Sequence, residues 1–502
     1  MNARKKTYFN VRPAVIITAG LIFGILAGYL FLTENKYFSM LVLFAFLFLG
    51  VFLTAYNFIK KQNFNGVTFL LFCIALMFGA ILFLTATYIT YDGVGSSNFS
   101  GTVVEIFSEN FENGKYNYSL IVKGDFLDND NVKAYLKISS IERIFQGSEI
   151  LFNGYFYLSD SRDFSLSTGC YYIAKVDEKT LQIGNILSAV NLLKQRLLLA
   201  LEETAGETYG FNYAIITGST AYASDSLISK YQHLGISHVF AVSGLHVGLM
   251  YFALKKAIGI FTDKGGVTFT FITAILLLYV YFCGFTASAL RAFIIITVRN
   301  LALLLGSKSD STSNIGVSAF IVLTINPTEI LSAGFLLSYT VYTGLILLTK
   351  PLSNFLSKFL PNFISNVLSP CLVAQVVSFP LLIDFFGYAS PFSFIFNLVI
   401  IPFIAFIFPL LLAFYLLLAV IPTGWIFGVV PNLAFTIIGY VLSFINSEAF
   451  LISGVKFSYS AVAFYAFLYL FAKKFNFSKK TYAILHIITL ISFILLFIII
   501  NI

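Results

Sequence analysis

The chain has 502 residues, 58% of them hydrophobic and 11% charged, with a formal net charge of +8. A soluble domain carries about 25% charged residues, so the composition excludes an ordinary soluble protein and points to a polytopic α-helical membrane protein. The four cysteines, Cys73, Cys170, Cys283 and Cys371, form no CxxC pair, and only Cys170 lies in polar sequence. That argues against a disulfide framework or a cysteine zinc site.

The first apolar run, 14–33, follows the basic stretch MNARKKTYFNVRP. It is too long for a typical cleaved signal peptide and more spans follow, so it reads as a retained first span. Spans two and three are expected at 38–58 and 67–90. Arg4, Lys5, Lys6 and Arg12 precede span one, and Lys60 and Lys61 follow span two. The positive-inside rule puts both groups in the cytoplasm and residues 92–180 outside. Lys255, Lys256, Lys473, Lys474, Lys479 and Lys480 mark further cytoplasmic ends, and a last span at 482–500 ends outside. The localisation expected is the cell inner (cytoplasmic) membrane, with the N-terminus cytoplasmic and the C-terminus extracytoplasmic.

Residues 92–180 carry thirteen acidic and eight basic side chains, a formal −5, which leaves +13 for the rest of the chain. Orientation against anionic membrane lipid accounts for that surplus more simply than a nucleic-acid mouth does. FSGTVVEIF, YSLIVKG, VKAYLKI, ILFNGYFYL and YYIAKV are short runs rich in aromatic and β-branched residues, separated by Gly, Asn and Asp. Five such strands suit a small extracytoplasmic β-barrel of the OB type inserted after the third span. OB folds often bind single strands through aromatics and basic residues; in this acidic region any such contact is local, and a spacer or assembly role is an equal alternative.

In 186–207 the apolar pattern is interrupted by Lys194, Arg196, Glu202 and Glu203, as in an amphipathic helix at the outer membrane surface. The next stretch, YGFNYAIITGSTAYASDSLISKYQHLG, is short, polar in its centre and suits a re-entrant segment. The expected divisions are a three-span region 1–91, an OB-like domain 92–185, an interfacial helix 186–209, a membrane core 210–472, and a basic loop with a final span 473–502.

ISHVFAVSGLHVGLM, 236–250, holds His238, Ser243 and His246 among small and apolar residues. Gly244 and Gly248 form a GxxxG pair suited to close helix packing. On one continuous helix His238 and His246 stand about 12 Å apart along the axis, poorly placed to grip one metal, and no carboxylate or cysteine completes a ligand set. Polar lining of a path competes evenly with a packing role. Arg291, among Ile, Phe, Ala and Leu, carries a charge that is costly in a bilayer unless it faces protein or water. Its fork of donors suits phosphate or carboxylate; the alternative is a helix-locking pair with Asp384 or with a helix C-terminus. Arg299 suits snorkelling to the interface. In INPTEILSAGFLLSYTVYTG, Pro327 and Glu329 suit a helix N-terminus, and Gly334 suits packing. Pro380 interrupts the run 371–403, flanked by Gln375 and Asp384. Such breaks occur at transporter binding sites and also in plain packing.

These blocks resemble the ComEC competence-protein family of DNA-internalisation channels. The resemblance rests on LGISHVFAVSGLHVGL at 234–249, SALRAF at 288–293, INPTEILSAGFLLSY at 325–339 and QVVSFPLLIDFFGYASPFSFIFNLVIIP at 375–402, in that order. It is strongest over 210–405. The signature positions are His238, Ser243, Gly244, His246, Arg291, Asn326, Pro327, Gly334, Gln375, Pro380 and Asn397. The resemblance implies an inner-membrane channel that passes one DNA strand into the cytoplasm after an external receptor delivers the duplex. Many members continue into an external metallo-β-lactamase-like domain. This chain ends at Ile502 with no His/Asp metal motif, so a separate nuclease partner is expected. It also has Ser219 after Gly218, where members often carry an acidic residue.

The leading expectation is a single-strand DNA channel, with His238, Ser243, His246, Arg291, Gln375 and Asp384 as path or functional candidates and Gly244, Gly248, Gly334 and Pro380 as packing candidates. No catalytic residue, metal or cofactor is expected. No Walker A pattern is present, so an ATP-driven motor or a strand-binding protein is a separate partner. The competing readings are a transporter of an anionic solute or envelope precursor, an intramembrane enzyme using Ser243 and His246, and a structural protein.

Overall fold

The computed structural model describes residues 13–33, 66–87, 95–126, 129–159, 165, 170, 172–184, 188–260, 265–306, 310–420 and 452–453. The expected spans at 38–58 and 482–500 lie outside them. Five described helices are long and apolar enough to cross a membrane. The chain divides into two compact units, the first holding Met1–Ala223, Phe240–Phe335 and Ile407–Leu433, the second Ser224–Val239, Leu336–Phe406 and Ala434–Ile502.

The first unit opens with helices α1 (Pro13–Thr33) and α2 (Gly66–Thr87). They pack backbone to backbone. A Cβ on Gly20 would fall on the Phe72 carbonyl, one on Gly24 on the Leu76 carbonyl, and one on Gly79 on the Leu21 carbonyl. Glycine at every fourth position leaves a groove along α1 that admits α2. On another side of α1, the Thr18 hydroxyl reaches the Gly316 carbonyl at 2.8 Å.

A six-stranded sheet follows: β1 (Gly95–Glu112), β2 (Lys115–Phe126), β3 (Asn129–Ser140), β4 (Glu149–Leu158), β5 (Tyr172–Val176) and β6 (Gln182–Gly184). All five strand segments expected from the alternation are strands here; the three-residue β6 is additional. Pairings run β1–β2–β3–β5–β4, and β4 also pairs with β1. β3 and β5 are parallel. The 18-residue β1 serves both neighbours because it bends. Residues 95–102 pair with β4 and 100–112 with β2, and register shifts near Val103 and Ile106 supply the bend. Asn113 and Gly114 close the β1–β2 hairpin with φ of 53° and 77°, the geometry that matches strand twist in a two-residue turn. Inside, Phe99 stacks on Phe152 with centroids 5.0 Å apart, in a core with Leu120, Leu136, Ile150 and Phe156. Cys170 is fully buried, and burial pushes its thiol up to about 12.

Helix α3 (Ala189–Ala205) starts at the Ser188 cap and buries Leu197, Leu198 and Leu201. Lys194, expected to interrupt an apolar face, is itself buried. Its ammonium donates to Gln146 Oε1 at 3.0 Å and lies over the Phe282 ring at 5.7 Å. Burial lowers its pKa. Helix α4 (Tyr209–Thr217) is buried from Gly210 onward. Nine residues span about 13 Å, too short for a hydrocarbon core of about 30 Å. Gly218 ends α4 in the left-handed conformation, and the chain returns over Gly210, where a Cβ would strike the Tyr222 carbonyl.

The first unit continues through α6 (Gly244–Gly259), α7 (Gly265–Phe282), α8 (Ala287–Leu304), α9 (Ser311–Ile325) and the start of α10 (Ala333–Leu356). The second holds α5 (Asp225–His233), most of α10, α11 (Asn362–Phe386) and the first half of α12 (Ser393–Val420).

Candidate functional site

The stretch 236–250 is not one helix. Ser237–Val239 form a single 3₁₀ turn, 240–243 are irregular, and α6 begins at Gly244. The axial spacing that one continuous helix would give His238 and His246 therefore does not apply. The cause is local. Ser243 has an extended backbone and caps α6, its hydroxyl accepting from Leu245 N–H at 3.2 Å. His246, at the third helical position, reaches back, and its Nδ1 accepts from Ser243 N–H at 3.2 Å. Ser-Gly-Leu-His is thus a capping box with histidine where Glu or Gln is usual. The Ser243 hydroxyl also lies 3.1 Å from Nδ1. An accepting Nδ1 leaves the ring neutral with its proton on Nε2. The ring is 1% exposed and meets Phe408 edge-on, centroids 4.5 Å apart.

Arg291 converges on the same point. It lies on α8, 7% exposed, and a Cβ on Gly244 would stand 3.2 Å from its Nη2. Gly244 thus admits the guanidinium at the first turn of α6. Nearby, the Ser318 hydroxyl donates to the Arg291 carbonyl at 3.4 Å. Ser243, Gly244, His246 and Arg291 therefore form one cluster in the first unit.

The other path candidates, His238, Gln375 and Asp384, belong to the second unit. His238 is exposed on its turn. Gln375, on α11, is buried and donates from Nε2 to the Ser390 carbonyl at 2.9 Å, while its Oε1 accepts from the Ser393 hydroxyl. It fastens the break between α11 and α12. Gly235, at φ 71°, fits against Ser390 and Ser393 because it has no side chain. Pro380 is buried inside α11, and Asp384 lies in that helix's last turn. Among the described residues a Cβ at Gly248 or Gly334 would meet no atom within 4 Å, so close packing falls instead at Gly20, Gly24, Gly79 and Gly344, whose Cβ would meet Val377 at 2.8 Å. Glu329 takes its expected place in a first turn, that of the 3₁₀ helix Pro327–Leu331. It accepts from Asn326 Nδ2 at 3.3 Å and from the Ser332 hydroxyl at 2.9 Å.

The capping box makes a direct prediction. His246→Gln is expected to keep the unfolding temperature of the purified protein close to wild type, because glutamine fills the same position in ordinary capping boxes. Ser243→Ala should cost about 1 kcal/mol. A His246→Gln loss larger than that of Ser243→Ala would mean that the imidazole does more than cap.

Membrane-length helices with an inserted sheet domain and a buried arginine at a helix start define a multi-pass membrane protein. Residues 215–500 match the family model described as Competence protein, and the chain belongs to that family. It is similar to ComE operon protein 3 of Bacillus subtilis (strain 168), 30% identical over 203 residues, which cover 40% of this chain and 25% of that protein. No solved structure matches.

Proposed function

We propose that this chain is an inner-membrane channel that passes single-stranded DNA into the cytoplasm during DNA uptake. Membership of the competence family supports the DNA-uptake role. The observation that carries the channel reading is Arg291 beside Gly244. The first turn of a helix is electropositive and presents N–H groups, and a guanidinium adds a full charge and a fork of donors. Two positive features held together in a buried place favour an anion between them, and a strand supplies a phosphate at each step. The His246 edge facing Ser243 accepts a backbone N–H, which supports a capping role for the pair and a non-enzymatic protein. The return pairing of β4 to β1 supports an OB-like barrel, and the lysine distribution supports a cytoplasmic N-terminus. Driving force and strand processing fall to a separate receptor, nuclease and motor or strand-binding protein.

The test is entry of end-labelled single-stranded DNA into sealed vesicles holding only this protein, under an inward driving force. Nuclease-protected label is the expected result. No protected label, even with a motor and a capture protein added, would overturn the channel reading and favour transport of a smaller anion.

A further inference from the structure

A second charged cluster lies on the sheet domain and α3 and is independent of the DNA reading. Arg143, in the connection between β3 and β4, stands between Glu109 of β1 and Glu202 of α3. Its Nε and Nη2 donate to Glu109 Oε1 at 3.0 and 2.7 Å. Its Nη1 donates to Glu202 Oε2 at 2.9 Å, and Nη2 lies 2.7 Å from Glu202 Oε1. The rings of Tyr116, Phe145 and Tyr222 stand 5.6 to 5.7 Å from the guanidinium carbon. The Glu109 side chain is 6% exposed and that of Glu202 29%. The cluster therefore joins the sheet domain, α3 and the return loop after α4.

One cation serves two carboxylates, so a surplus negative charge is enclosed by aromatic walls. Like charges that share a partly buried site hold a proton more readily than either does alone. Glu109 is placed to take it. Oε1 accepts both bonds from Arg143, while Oε2 is buried and accepts none from it. A proton on Oε2 removes the surplus charge and leaves the Arg143 bonds intact. Burial pushes the Glu109 carboxyl above the usual carboxylate range, against the hydrogen bond and charge of Arg143 and the hydrogen bond of Tyr118, and Glu202 pushes it further up. Among the described residues, the other ionisable groups facing the cluster are phenols, those of Tyr116, Tyr118, Tyr209, Tyr213 and Tyr222. Burial raises Tyr118, Tyr209 and Tyr222, so these stay neutral while carboxylates titrate. Tyr118 also anchors the cluster, its hydroxyl accepting from Ile144 N–H at 2.9 Å.

We propose that the Glu109–Arg143–Glu202 clamp is a proton-responsive joint between the sheet domain and α3, tight when it holds one proton and looser as pH rises. The sign follows from linkage. A carboxyl whose folded-state pKa lies above its unfolded value adds stability that is complete at low pH and is lost as pH rises through the folded value.

The test is hydrogen exchange on the full chain in detergent micelles from about pH 5 to about pH 8, with intrinsic exchange rates divided out. In the wild type, the opening constant of peptides spanning the end of β1 and the end of α3 should rise with pH. Each pKa unit of displacement corresponds to about a tenfold rise. Glu109→Gln keeps the Oε1 acceptor without the charge and should give a low opening constant at every pH. Should that variant misfold, Glu202→Gln removes the surplus charge from the more exposed side and should likewise flatten the profile. Arg143→Met should raise opening at every pH. A wild-type profile that is flat or falls with pH, or a folded glutamine variant that keeps the wild-type slope, would overturn the proposal.

Discussion

Arg291→Gln is expected to lower strand entry into vesicles by about two orders of magnitude at an unchanged amount of folded protein. Glutamine keeps some polarity but removes the charge and the fork of donors. Truncating one partner of a buried, hydrogen-bonded charge pair costs about 2–5 kcal/mol, and each 1.4 kcal/mol is about tenfold. Arg291→Lys should fall between the two, because an ammonium restores the charge without the planar geometry that grips a phosphate. The bond from Ser318 goes to the main-chain carbonyl, so neither substitution deletes it. Gly244→Ala should act in the same direction as Arg291→Gln, since its Cβ would enter the space at 3.2 Å from Nη2. If entry and folded protein fall in parallel, Arg291 is a packing residue and the phosphate role fails.

The sheet domain was legible because its signal is local. Alternation and turn residues mark five strands, and four of the predicted segments lie inside observed strands, while the fifth, YYIAKV, contains β5. β6, three residues long, carries too little pattern to be seen. The histidine stretch was misread for a related reason. Its apolar character suggests one continuous helix, and the axial spacing of His238 and His246 is then counted through Ser243, where the helix has not begun. Ser-Gly-Leu-His does hold the cap signal, but a histidine at the third position is not the residue type that the rule names. Gathering Ser243, Gly244, His246 and Arg291 into one place needed the fold, because spacing along the chain says nothing about α8 meeting α6. The Arg143 clamp was invisible for the same reason, its partners lying 34 and 59 residues away in sequence.

Glycine spacing shows where packing overrides a sequence rule. Gly24 and Gly248 both sit inside helices and both belong to a small-xxx-small pattern, yet Gly24→Ala and Gly248→Ala are expected to change stability in opposite directions. Alanine favours a helix interior over glycine by roughly 0.5–1 kcal/mol. At Gly248 a Cβ meets nothing within 4 Å among the described residues, so that gain should appear as a higher unfolding temperature. At Gly24 the Cβ would overlap the Leu76 carbonyl and stand 3.0 Å from Ala80 N. Those are backbone atoms, so α2 must move away. Overpacking of this kind costs about 1–3 kcal/mol, enough to reverse the gain. Cys73 supplies a second readout. It lies on α2 beside Phe72, 2% exposed, and should react faster with a small thiol reagent once α1 and α2 separate. With the other cysteines replaced, Gly24→Ala should speed that reaction and Gly248→Ala should leave it unchanged. Should Gly248→Ala destabilise the protein while Gly24→Ala does not, the close helix contact would lie at the 244–248 pair, and the α1–α2 groove would not be what holds these helices together.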